Sequence, residues 1–573
     1  MKKSFILLSN FLFVVFLFSN AFSQNQTTSQ LNSKTSNEVK PATETKKVVT
    51  TENIEKDMAE ALTVIQDNYV VSGKKLDYNE LFKSSIETML HTLDPHSNYF
   101  DAKETEEFRT DQRSQYFGIG ATIGSLSDEK DKVIGTFIKA TFENAPANRA
   151  GLLYGDKIVE INGVSMLGKT SVEVSSALRG PRGTAAKLVV ERYSTGKRDN
   201  VEIIRDAISQ PSISSVYMIR PGIGYMAMKG GFNQTTYNEF RQAMQDLKAQ
   251  GMKQLVIDLR DNGGGLVSQS LNVANTFLTQ GQKILTQKGR VEESSETFQA
   301  NNPAPDDTPL VVLVNRNTAS ASEILAGALQ DHDRALIVGE NTFGKGLVQQ
   351  PFLLEYGSMV LLTIAKYETP SGRLIQRDYS GGNLYDYYTK GGSLSEEIEM
   401  PKGAESRTDS GRIVYSGGGI NPDEVIKPRT ITSEKARQQA RLVDPVFAFV
   451  LDLSTGKVQG FENYRVNKPI NFEYTLKNAD FPVTDNLFQN FKKFAVEKYK
   501  VSAAQIDKER EFLERILRAE IVTAAYGATT TSQVYNESDN QLLRAIELLP
   551  QARKLAIEGE KANAKKTNPV LNR

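Results

Sequence analysis

NRNTASASEILAGALQDHDRALIVGENTFGKGLVQQ, residues Asn315–Gln350, holds the pattern that decides the fold. The apolar run 309–314 just before it reads as a buried strand, 322–330 as a helix with its apolar residues on one face, and 334–339 as a second strand. Strand, helix, strand is a βαβ crossover, which makes the two strands parallel. Ser320 just beyond the first strand and Lys345 just beyond the second then share the carboxyl edge of the sheet, where open α/β folds bind ligands. A third loop, Arg260-Asp261-Asn262-Gly263-Gly264-Gly265, follows the strand-like run 254–259 and arrives at the same edge. Its glycines free the backbone to offer N–H groups to a developing oxyanion.

A serine hydroxyl is a weak nucleophile until a base takes its proton. The usual base is histidine, and this chain has three. His91 and His96 lie far upstream, and His332 falls at the polar end of the helix, away from the carboxyl edge. Lysine is the better candidate. A free lysine amine is neutral in roughly one molecule in a few thousand at pH 7, but burial lowers its pKa by several units. The segment Thr342-Phe343-Gly344-Lys345-Gly346-Leu347-Val348 offers Lys345 an apolar setting, and the nearest acid before it in sequence is Glu340. Gln349 lies on the same face four residues later, placed to orient the amine.

Each piece has a plainer reading when taken alone. Ser320-Ala321-Ser322-Glu323 fits a capping box, in which the serine merely satisfies backbone donors of the helix. Gly344-Lys345-Gly346 could be a solvated or phosphate-contacting turn, although the spacing of a P-loop is missing. The glycine triplet alone is an ordinary loop.

Together the segments resemble the carboxyl-terminal processing peptidases, the tail-specific serine proteases. The resemblance rests on Thr318–Glu323, on Gly339-Glu340 followed by Phe343–Gly346, and on Asp258–Gly265, and it covers about residues 55 to 430. It implies a multidomain α/β plus β protein: a crotonase-like α/β protease core, an inserted PDZ domain, and helical N- and C-terminal regions. It also implies serine endopeptidase chemistry, with Ser320 as nucleophile, Lys345 as general base, Gln349 positioning the lysine, and the N–H groups of Ala321 and Gly264 forming the oxyanion hole. Ser322 is the rival nucleophile. The family pattern and the elbow before the helix both favour Ser320.

Composition narrows the chemistry further. The 573 residues carry 69 basic and 69 acidic side chains, so no basic excess points to nucleic acid. There is no cysteine, which removes disulfides, thiolate nucleophiles and cysteine-ligated metals, and three scattered histidines argue against zinc. No cofactor or metal is expected. Met1-Lys2-Lys3, the apolar run Phe5–Phe18 and the small residues of Ala21-Phe22-Ser23 read as a secretory signal over 1–23, which predicts an exported, periplasmic protein, or a membrane-anchored one if the signal stays uncleaved.

Residues 24–50 are a polar linker and 51–115 a helical region, in which Leu93-Asp94-Pro95-His96-Ser97 makes a turn that also resembles the family. His96 reads there as a structural hydrogen-bonder. Over 116–205 short strands alternate with turns around one helix, which looks like a PDZ domain, a module that adds a peptide's last residues as an extra strand and holds its carboxylate. Phe117-Gly118-Ile119-Gly120 is its expected carboxylate loop. Arg179 resembles the family's link between docking and the active site, with a solvated surface arginine as the alternative. The core spans 206–430, followed by a helical region over 431–573 whose tail, from Arg553, is predicted to fray. In the family such terminal helices support dimers, so a homodimer or an activating adaptor is compatible with the pattern. The expected partners are proteins or peptides with free C-termini. The competing function is a catalytically silent PDZ adaptor, which would be free to lose one of Ser320, Lys345 and Gln349. A trypsin-like protease is weaker, for want of its nucleophile segment and a suitably placed histidine and aspartate.

Overall fold

The βαβ crossover is present as strand Leu310–Val314, helix Ala321–Asp331 and strand Leu336–Gly339. These belong to a computed structural model that describes residues 50–70, 77–380, 384–389, 403–466, 470–472 and 474–567, in two units divided after Asp77. In the first unit the described element is the helix Thr51–Asn68, whose N-cap Thr50 accepts the Asn53 N–H. The expected signal, 1–23, and all but the last residue of the linker 24–50 lie outside the described residues.

The crossover sits inside a six-stranded sheet ordered Ser215–Arg220, Ile223–Ala227, Gln254–Asp258, Leu310–Val314, Leu336–Gly339, Glu424–Val425. All neighbours are parallel except the first pair, a hairpin. Side chains leave a strand on alternate faces, and both faces of this sheet are covered. Leu255, Ile257, Leu310, Val312 and Ile337 pack under helices Thr236–Ala249, Val267–Phe277 and Ala321–Asp331. Val256, Val311, Leu313 and Val338 pack against Leu542, Ile546 and Leu549 of the last helix, Asn540–Thr567. That double cover explains why these strands read as unbroken apolar runs.

The expectation that the chain frays from Arg553 is overturned by this helix, which continues to Thr567 among the described residues. Ala552 and Leu555 stay buried against the sheet, and at Gly559 a Cβ would come within 2.8 Å of Asp333. Tertiary packing overrides the polar composition of the tail.

A second, antiparallel sheet carries the hairpin Leu347–Leu353 with Met359–Glu368, to which Asn98–Phe100 and Lys283–Gly289 add. The strand after Lys345 therefore belongs to this second sheet. The PDZ-like body is entered and left through a two-stranded ribbon, Gln115–Gly118 with Asp206–Ser209, and contains six strands and the helix Ser171–Leu178. Helices Val443–Ser454 and Arg510–Asn536 bed it down: Phe447 and Leu451 pack on Leu126 and Phe137, and Glu520 accepts the Tyr154 hydroxyl at 2.9 Å and pairs with Lys139 at 3.0 Å.

Candidate active site

Ser320 ends the elbow between strand and helix with φ 56° and ψ −119°, a positive φ that an ordinary N-cap serine does not adopt. Its neighbours hold the elbow. The Thr318 hydroxyl donates to the Leu259 carbonyl at 2.8 Å, the Ala319 N–H donates to the Asn262 carbonyl at 3.0 Å, and the buried Tyr367 hydroxyl donates to the Ser320 carbonyl at 3.2 Å. Gly264, at φ 98°, presses against the elbow so closely that a Cβ there would lie 2.8 Å from the Ser320 Cβ and 2.9 Å from the Ala321 nitrogen. Only glycine fits both that space and that conformation.

The two serines differ sharply in access. Ser320 is partly exposed, whereas Ser322 is fully buried and donates its hydroxyl to the Asn262 carbonyl at 3.0 Å.

Lys345 emerges from the loop after strand Leu336–Gly339 and donates from Nζ to Gln349 Oε1 at 2.6 Å. Burial lowers its pKa to about 8, against the opposing pull of the Asp94 and Glu323 carboxylates. Neither of these acids is adjacent to the lysine in sequence, while Glu340, the nearest acid before it, is turned to Arg316 at 2.6 Å.

Glu323 is the residue whose part the sequence understated. It closes the cap, accepting the Ser320 N–H at 2.8 Å, but it also accepts the Lys345 N–H at 2.8 Å with the same Oε2 oxygen, and the Gly344 N–H at 2.7 Å and the Thr342 hydroxyl with Oε1. The backbone nitrogens of Ser320 and Lys345 are thus each one hydrogen bond from a single oxygen atom. Complete burial raises the pKa of Glu323, and the four donors oppose that rise.

The Gly264 N–H departs from expectation. It donates to Asn262 Oδ1 at 2.9 Å, because the asparagine side chain folds back into its own loop while its amide is held by the Met228 carbonyl. An oxyanion reaches that N–H only by sharing it. The same loop is held by Arg260, which is paired with Asp258 of the preceding strand at 2.7 Å, with Asp539 just before the last helix at 2.8 Å, and donates to Gln541 in its first turn at 2.9 Å. His332, the fallback base, is bound elsewhere, to Asp409 at 2.6 Å and the Lys283 carbonyl at 2.7 Å.

In the PDZ-like body, Phe117 and Gly118 do not form a free loop, since both pair in the ribbon with Ala207 and Asp206. Ile119 and Gly120 make the turn that follows: their carbonyls accept the Ala147 and Phe142 N–H groups at 2.8 and 3.0 Å, and Gly120 has φ 73°. The next strand, Ala121–Ser127, forms one edge of the sheet beside helix Ser171–Leu178, whose Ser171 N–H donates to Ser125 Oγ at 2.6 Å. Arg179 follows that helix and lies 5.4 Å over the Tyr116 ring, on the ribbon that joins this body to the core.

Comparison with known proteins gives the arrangement its relatives. Residues 222–384 match the model of peptidase family S41, and residues 138–192 match that of the PDZ domain. The chain is 36% identical over 305 residues to a carboxy-terminal-processing protease of Bartonella bacilliformis, spanning 52% of this chain and 68% of the relative. It is 35% identical over 311 residues to a carboxyl-terminal-processing protease of Synechocystis sp., spanning 54% and 71%. Among solved structures, the photosystem II D1 C-terminal processing protease aligns at 26% identity over 66% of this chain and 94% of that chain, with a TM-score of 0.34.

Proposed function

Because this chain is a PDZ-containing serine peptidase of family S41, one of the carboxy-terminal-processing proteases, we propose that Ser320 is its nucleophile and Lys345 its general base, acting on proteins whose free C-termini the PDZ domain captures. The observation that carries the reading is the Glu323 oxygen shared by the backbones of Ser320 and Lys345, which ties nucleophile and base to one point. The strained φ of Ser320 and the lysine pKa near 8 agree with it.

The chemistry then runs in two halves. Neutral Lys345, aimed by Gln349, takes the hydroxyl proton as Ser320 Oγ attacks the scissile carbonyl carbon. The Ala321 N–H, at the first turn of the helix, donates to the oxyanion. The lysine ammonium then protonates the leaving amine, and the neutral amine so regenerated deprotonates the water that releases the acyl group. Lys345→Ala should leave a folded protein that cleaves an unfolded substrate more than about a thousandfold slower. Near-normal cleavage would remove the lysine from the mechanism.

For the PDZ domain, the edge strand Ala121–Ser127 is the expected docking site, with the Ile119–Gly120 turn at the substrate carboxylate. A peptide with an apolar free C-terminus is expected to be cleaved with kcat/KM about tenfold or more above that of its C-terminal amide, the worth of charge-assisted hydrogen bonds. Equal values for the pair would exclude this domain from substrate selection.

Export follows from the pattern of Met1–Ser23. Intact mass of the exported protein should give an N-terminus near Gln24, and retention of Met1–Ser23 would point to a membrane anchor.

A further inference from the structure

The Asp94–Ser97 turn, which precedes the PDZ domain in sequence, is buried in the neighbourhood of the lysine loop although more than two hundred residues separate them. Asp94 ties the turn together, accepting the His96 and Ser97 N–H groups at 2.8 and 2.9 Å with Oδ1 and the Ser97 hydroxyl at 2.6 Å with Oδ2. Ser97 Oγ in turn accepts the Thr363 N–H at 3.0 Å, which fastens the turn to the strand beside Gln349. The His96 carbonyl accepts the Gln349 amide N–H. That bond decides which end of the amide faces the lysine: with Nε2 held by His96, Oε1 is left to receive Lys345 Nζ. The imidazole of His96 is bonded through Nε2 to the Tyr387 hydroxyl at 2.8 Å, and the Tyr388 hydroxyl donates to the Pro95 carbonyl, so the carbonyls of the turn are held from behind.

Resting on Lys345 as base, we propose that the Asp94–Ser97 turn is a positioning device for it, holding Gln349 through the His96 carbonyl with Asp94 as its anchor. Asp94 also acts on the amine electrostatically. The charged groups around Lys345 are the carboxylates of Asp94 and Glu323, both of which favour its protonated form, while Arg377 is stacked over Phe343 at 4.7 Å. His96 adds no charge there, since burial and the Lys345 charge push its pKa to about 3, and burial raises those of the Tyr387 and Tyr388 phenols. Removing the Asp94 charge must therefore lower the lysine pKa.

The test is the pH profile of kcat/KM for the full-length mature protein and its variants. Asp94→Asn keeps the Oδ1 acceptor and is expected to move the ascending limb acidward by about one unit. His96→Ala keeps the carbonyl but frees the turn from Tyr387, and is expected to lower kcat about tenfold with KM unchanged; His96→Gln, which keeps a hydrogen-bonding group for Tyr387, is expected to restore most of it. The His96 pair also serves if Asp94→Asn does not fold. A wild-type limb near pH 8 that Asp94→Asn leaves in place, or full kcat in folded His96→Ala, overturns the proposal. A wild-type profile lacking that limb removes the lysine base itself, and the proposal with it.

Discussion

Ser320→Ala is expected to abolish peptide cleavage, by more than about a thousandfold in kcat, while the protein still folds and still binds substrate. Ser322→Ala should retain substantial activity. The two hydroxyls sit two residues apart in the same turn, yet one is accessible on a strained elbow and the other is sealed under the Asn262 carbonyl. A serine that served only to cap the helix would show a different signature on replacement, about 0.5 to 2 kcal/mol of stability and no loss of turnover in the folded protein. Thermal unfolding alongside turnover separates the two roles. Activity surviving in folded Ser320→Ala would sink the assignment.

Lys345→Arg is expected to be as inactive as Lys345→Ala. Arginine keeps the positive charge but does not lose its proton at any working pH, so it cannot act as a base. A lysine that merely stabilised an anion would tolerate arginine at least in part. The guanidinium is also larger and presents a planar fork, so the substitution must be judged in protein shown to fold, by circular dichroism and an unchanged melting temperature. Near-normal turnover in that protein would show that the proton goes elsewhere.

The sheet was legible because its physics is local. Runs such as Leu310–Val314 are apolar throughout because helices cover both faces, and the crossover rule then carries Ser320 and Lys345 to one edge without any knowledge of distant contacts. The lysine's partner Gln349 was equally near in sequence. What the sequence did not disclose depends on chain segments far apart. Nothing in Ser320-Ala321-Ser322-Glu323 tells a capping glutamate from one that also grips the loop of Lys345. The link from His96 to Gln349 joins residues 253 apart in sequence, and the pairing of Arg260 with Asp539 joins the oxyanion loop to the residue before the last helix. The tail beyond Arg553 misled for the same reason, since its polar residues hide the apolar stripe ending in Ala552 and Leu555. The Gly264 N–H failed to match expectation through a side-chain choice, the inward fold of Asn262, that backbone patterning does not encode.

The central claim is that Ser320 attacks and Lys345 takes its proton, and the rate at which a peptidyl phosphonate labels the protein, followed against pH with the adduct mapped by mass spectrometry, tests both parts at once. The predicted result is a single adduct on Ser320 whose rate of formation rises with pH through a midpoint near 8, where the buried amine becomes neutral, and which is lost in Lys345→Arg. An adduct on Ser322, or a Ser320 adduct that forms at the same rate across that range or persists undiminished in Lys345→Arg, would contradict the account.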